Sequence, residues 1–184
     1  MATDMMATES VGRNSKLREL FVEQLQDIYW AEKKLAKALD KMAGAATSTR
    51  LRDAFDAHRN QTKEHMQRLE RVFESIDEPV DSTKCPAMAG IIAEATDLID
   101  ETDNNTSQRD AGLIIAAQKA EHYEIATYGS LAQLAEDLGY TEAKDLLGQT
   151  LEEEKKTDLL LTEIARSRVN EKAAMESEID NNVF

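Results

Sequence analysis

Apolar residues recur three and four positions apart along four long stretches of the chain, the spacing that lays one face of an α-helix against a core. The first stretch runs from a cap at Asn14 or Ser15 to Gly44 and carries Leu17, Phe21, Leu25, Ile28, Leu35, Leu39 and Met42. After the short link Ala45 to Thr49, the second carries Leu51, Phe55, Leu69, Val72 and Phe73 and stops ahead of Asp77, Glu78 and Pro79. So short a link predicts an antiparallel pair. The third is announced by Ser107 with Asp110 and shows Leu113, Ala117, Leu131, Ala135 and Leu138. Gly129 inside it weakens the helix by about 1 kcal/mol unless close packing compensates. Gly139, Tyr140 and Thr141 form a stop and a restart, and the fourth stretch carries Leu146, Leu147, Leu151, Leu160, Leu161 and Ile164.

Between the two pairs, Pro79 to Ser107 reads as a long crossover. It contains a short helix from Pro86 through Ile99, capped by Cys85. Two tight helical hairpins joined by one long connection make the ferritin-like variant of a four-helix bundle, so the expected fold is all-α. Residues 1–13 lack a periodic pattern and read as a disordered leader, 14–167 as the bundle and 168–184 as a flexible tail.

Acids interrupt the apolar stripes. Glu32 takes a slot between Ile28 and Leu35, Glu121 and Glu124 fall between Ala117 and Leu131, and Glu154 and Asp158 between Leu151 and Leu161. Three of the four helices therefore aim carboxylates at the bundle axis. Like charges in a low-dielectric interior demand a counter-charge, and a pair of hard cations supplies one, because oxygen donors with one or two imidazoles suit iron and manganese. The second helix offers His58, Gln61 and His65 at i, i+3 and i+7, while His122 is expected to point off-axis. Lys119, Lys155 and Lys156 offer another way to neutralise the acids, by ordinary ion pairs without a metal. Tyr29, Tyr123 and Tyr128 lie near the same positions, as hydrogen-bond donors to ligands or as plain core.

Composition narrows the field. The 184 residues include 36 acidic and 22 basic side chains, a net charge of -14 that repels phosphate backbones and anionic lipid and argues against nucleic acid as a partner. It also suits a cell with high internal salt. No stretch approaches the roughly 20 apolar residues that span a bilayer, and no secretory signal opens the chain, so a cytoplasmic protein with no membrane partner is expected. One cysteine excludes an internal disulfide and a zinc knuckle. No GxxxxGK, GxGxxG, GxSxG or HExxH string occurs, which leaves nucleotide-binding, hydrolase and zincin readings without an anchor.

The strings LFVEQLQDIYWAEKKLAKAL, AFDAHRNQTKEHMQRLERVF, KCPAMAGIIAEA, RDAGLIIAAQKAEHYEIATYGSLAQLAEDLGY and LLGQTLEEEKKTDLLL closely resemble the YciE/YciF family of ferritin-like stress proteins over residues 17–167. The resemblance implies a four-helix ferritin-like fold, a dinuclear-type centre and homodimers; the carboxylate seam adds the expectation that an iron or manganese pair held there reacts with dioxygen or peroxide in stress or oxidative defence. Carried over by position, the centre uses Glu32, His58 or His65 with Gln61, Glu121, Glu124, Glu154 and Asp158. One feature departs from the common dinuclear pattern: no ExxH unit occurs, and Gln61 stands where a carboxylate would ligate better. A single-metal, weak-metal or vestigial site, on a dimeric helical scaffold without enzymatic activity, is the competing expectation. A DNA-coating mini-ferritin is disfavoured, since Arg13, Lys16 and Arg18 are the only basic residues at the start of the chain.

Overall fold

The computed structural model describes residues 15–176, and these are helical throughout apart from the links. The expected leader, residues 1–13, and the tail beyond 176 lie outside the described residues. The helices are α1 (Lys16–Ala45), α2 (Thr49–Ser75), α3 (Pro86–Glu101), α4 (Ser107–Asp137), α5 (Thr141–Ile164) and α6 (Asn170–Met175). α1 packs along α2 and α4 along α5, as the short links require; α2 then faces α5, α1 faces α4, and α3 lies against α4 and α1. This is the ferritin-like four-helix bundle with an extra helix in its crossover.

Local chemistry sets the helix ends. Ser15 and Ser48 accept from the third amide of their helices at Arg18 and Leu51, and Cys85 Sγ accepts from Met88 N as the predicted cap of α3, ahead of Pro86. α4 corrects the sequence reading: its cap is Thr106, whose hydroxyl accepts from Arg109 N, and Asp110 turns away to take the amides of Thr47 and Ser48 at 2.7 and 2.8 Å. The α4–α5 turn closes on Gly139 at φ +76°, a backbone region that favours glycine.

Phe21, Leu25, Ile28, Leu51, Phe55, Phe73, Leu113 and Leu131 are fully buried in one core. Three positions of the expected stripes are not: Leu17 is 38% and Leu160 37% exposed, at the rim where the wheel turns outward, and Leu151 is half-buried. The close helix approach is at Gly112, where an added Cβ would sit 2.6 Å from Leu98 of α3, whereas at Gly129 it would meet Leu151 at an ordinary 3.9 Å. Gly129 is therefore tolerated without tight packing to require it.

The expected flexible tail is, as far as described, partly built. The helix breaks at Ser167 and Arg168, the latter at φ +91°, and resumes as α6, which packs on α4. Val169 is buried, and Glu176 accepts from the amides of Ser107 and Gln108 at 2.6 and 2.9 Å. A carboxylate is favoured there because the first amides of α4 lack intrahelical partners. No helix of the described residues is long and apolar enough to cross a membrane.

Candidate metal centre

The centre is built midway along four helices. On α2, His58 and His65 are seven residues apart, almost two full turns, so both rings leave the same face toward the axis. Gln61, three residues after His58, is rotated away from that line; it is half-buried beside His58. The stripe continues instead through Thr62, fully buried, whose hydroxyl donates to the His58 carbonyl at 3.0 Å. α1 contributes Glu32, α4 Glu121 and Glu124, and α5 Glu154, all buried.

These side chains converge into two groups whose ligating atoms lie within 4.8 Å of one another: His58, Glu121, Glu124 and Glu154, and Glu32, His65 and Glu154. Glu154 belongs to both. His58 Nε2 is 3.1 Å from Glu121 Oε1 and 3.9 Å from Glu154 Oε2, and His65 Nδ1 is 2.9 Å from Glu154 Oε1 and 3.5 Å from Glu32 Oε1. Proximity does not become hydrogen bonding. Both nitrogens of His58, Nδ1 of His65, both oxygens of Glu124 and of Glu154, and one oxygen each of Glu32 and Glu121 are buried without a hydrogen-bond partner. The acids and His58 thus crowd one shared space, in which His65 is the cationic neighbour of Glu154 and Glu32.

The electrostatics record the cost. Burial holds the Glu32, Glu124 and Glu154 carboxyls above the usual carboxylate range and pushes Glu121 up to about 8, with neighbouring acids adding to the rise at each. Burial lowers His58. At His65 burial opposes protonation, but the carboxylates of Glu154 and Glu32 outweigh it and raise the imidazole to about 10.

Around the centre stand groups that the sequence reading missed or left open. His65 Nε2 meets Glu153 Oε2 at 2.9 Å, and Glu153 is gripped by both Arg68 nitrogens at 2.9 and 3.2 Å. Arg68 also donates to Thr150 at 2.6 Å. The sequence signal for Arg68 was its place beside Leu69 and Val72, a buried stretch of α2, opposite the acid run of α5. Tyr128, fully buried, donates to Glu32, so of the three tyrosines it is the one that touches the cluster. Tyr123 donates to Asp27 at 2.8 Å and Tyr29 to Glu70 at 2.7 Å.

Asp158 does not join the acids. One turn beyond Glu154, it is rotated toward α4, where Gln118 donates to it at 3.1 Å and His122 approaches at 3.3 Å. His122 is exposed, off-axis as expected. The lysines do not neutralise the centre either: Lys119 pairs with Glu94 and Lys155 with Glu152, each at 2.7 Å on the surface, and Lys156 is exposed.

The donor set fits hard cations. Four carboxylates balance two divalent ions, two imidazoles complete an oxygen-rich set suited to iron or manganese, and the orphaned atoms are those a metal would use. His65 shows the usual arrangement of a ligating imidazole, one nitrogen turned to the centre and the other fixed by a carboxylate.

Comparison with known proteins agrees with the architecture. Residues 16–174 match the family described as "Domain of unknown function (DUF892)". Protein YciF of Escherichia coli (strain K12) is 49% identical over 158 residues, 85% of this chain and 95% of that protein. The crystal structure of YciF, described as an E. coli stress protein, superposes with a TM-score of 0.81 at 48% identity, covering 86% of this chain and 99% of that one. YcfI of Rhodopseudomonas palustris superposes with a TM-score of 0.78 at 35% identity over 80% of this chain and 94% of that one.

Proposed function

Since the chain belongs to the DUF892 family, with the E. coli stress protein YciF among its relatives, we propose that it is a ferritin-like metal protein of stress or oxidative defence whose centre holds a pair of iron or manganese ions. The observation that carries this reading is the set of buried acid and imidazole atoms without partners, four carboxylates and two histidines deep. A fold does not maintain such a set unaided, because an unpaired buried charge costs several kcal/mol.

His58, Glu121 and Glu124 would hold one ion, Glu32 and His65 the other, and Glu154, common to both groups, would bridge them. Bound there, the pair supplies electrons to a small oxidant, dioxygen or peroxide. The chain's own part is to fix that geometry and handle protons. Glu153 and Arg68 orient the His65 ring and leave its Nδ1 for the centre. Glu153, with 22% of its side chain exposed, also gives protons a polar route between His65 and solvent. The Tyr128 hydroxyl donates to Glu32 and would hold that carboxylate toward the centre.

Gln61 and Asp158 have no direct part in this reading, and the missing ExxH unit is answered by spacing: α2 gives two histidines and no acid, while α4 and α5 give the acids. The chain acts as a homodimer, which light scattering checks against twice the 20.6 kDa chain mass. Elemental analysis after iron or manganese loading tests the metal reading. Near two ions per chain are expected in the wild type and fewer than one in Glu154→Ala; no uptake by the wild type returns the chain to the scaffold reading.

A further inference from the structure

Away from the metal centre, α1 and α3 leave a surface groove of about 440 Å³ between them. Trp30, Ala38 and Met42 line it from α1, and Ala89, Ile92 and Ile99 from α3. Lys34, Lys37 and Lys41 stand along its α1 side, and Thr96 is its one uncharged polar residue. At i, i+3 and i+7 the three lysines share one face of the helix. The alanines keep the groove open, since longer side chains there would fill it.

Charge and shape set this groove apart. The chain has 36 acids against 22 bases, yet no acid among the described residues lines the groove or pairs with its three lysines; Lys119 and Lys155, by contrast, each hold a glutamate at 2.7 Å. Lys34 instead rests its ammonium over the Trp30 ring, 5.2 Å from the centroid. From Trp30 to Met42 the groove follows about 18 Å of α1, so its volume gives a mean cross-section of about 25 Å², roughly 5 Å across. An α-helix, about 10 Å wide, does not fit within that width, whereas one extended hydrocarbon chain does. The unpaired lysines call for a negative head on that chain, and their own apolar stems can lie along it while the ammonium groups stay in water.

We propose that the groove between α1 and α3 binds a long-chain fatty acid, its hydrocarbon chain on the apolar lining and its carboxylate on the lysine row. The ligand is taken as a free monomer rather than from an anionic membrane surface, which a net charge of -14 repels. The proposal is independent of the metal reading.

Trp30 is the chain's only tryptophan and lines the groove, so its emission reports occupancy. Palmitate titrated into the full chain below its aggregation concentration should change that emission saturably, with one site per chain by calorimetry. Acetate, the same head without the chain, should give no response. Lys37→Glu combined with Lys41→Glu sets like charge against the head and should weaken binding at least about tenfold; both lysines are exposed, so the exchange spares the core. Ala38→Leu, which fills the groove and keeps the lysines, should weaken it as much, while Lys155→Glu on α5 should leave it within about twofold. No saturable response to palmitate overturns the proposal, as does binding that the groove variants leave unchanged. Emission that changes with protein concentration alone, and no longer does so in the lysine variant, assigns the groove to a second copy of the chain and overturns it as well.

Discussion

Among the described residues, two regions bury charge in opposite ways. At the end of the bundle, Asp110 and Arg109 are buried and satisfied: Asp110 takes the amides of Thr47 and Ser48, and Arg109 donates to Thr102, Asn104 and the Ile99 carbonyl. Halfway along, Glu32, Glu121, Glu124 and Glu154 are equally buried, yet they leave six carboxylate oxygens without a partner. The first region spends its charge on joining α4 to the α1–α2 link. The second keeps its lone pairs free. A buried charge whose partners are all protein atoms is architecture; one whose partners are missing points to a ligand.

Substitutions should split the two regions. The largest effect is expected at Glu154, shared by both ligand groups: Glu154→Ala should weaken metal binding at least ~1,000-fold, about 4 kcal/mol, in competition with a chelator of known affinity. Asp110→Ala should do the reverse, lowering denaturant stability by about 3 kcal/mol through two orphaned amides while metal affinity stays within about threefold. Exchanging acid for amide sharpens the contrast further: Asp110→Asn should destabilise, whereas Glu124→Gln, replacing a carboxyl that burial holds protonated and neutral, should change the stability of the metal-free protein by less than about 1 kcal/mol while weakening metal binding.

A smaller effect comes with pH. Burial raises Glu121 from the ordinary 4.5 to about 8, so the folded metal-free protein holds a proton there that the unfolded chain releases. The favourable contribution of that proton is complete below about 4.5 and is lost as pH rises toward 8. A metal must displace the same proton. Apparent affinity should therefore fall at least tenfold per pH unit below 8, about 1.4 kcal/mol for each proton displaced, because His65 and the other raised carboxyls release protons as well, and that release is measurable by calorimetry in two buffers of different ionisation enthalpy. Smallest of all, Gln61→Ala and Asp158→Asn should each change metal affinity by less than about threefold, since Gln61 lies half-buried beside His58 and off the line of the two histidines, and Asp158 is held by Gln118 outside the ligand groups. A tenfold loss at either would place it in the centre after all.

The periodic pattern made the four long helices and the crossover helix readable, because amphipathic spacing and caps at Ser15 and Cys85 are local properties. It also picked out Glu32, Glu121, Glu124 and Glu154, since an acid in an apolar slot is visible on a helical wheel. Where the wheel failed, it failed by rotation. Asp158 and Leu160 were read as inward, but α5 carries them to its edge, toward Gln118 and toward solvent. Contacts between distant segments were beyond its reach. Asp110 looked like half of a capping box and instead holds the α1–α2 link, and Glu153, which the pattern did not single out, is met by Arg68 and His65 from α2.

The central claim is that acids and imidazoles from four helices share metal ions in the dry middle of the bundle. Anomalous diffraction from iron-loaded crystals, collected on both sides of the iron absorption edge, tests it most directly. The expected result is two peaks, one among His58, Glu121, Glu124 and Glu154 and one among Glu32, His65 and Glu154. Difference maps with no peak at these residues, or with iron only on the acidic surface, would contradict it.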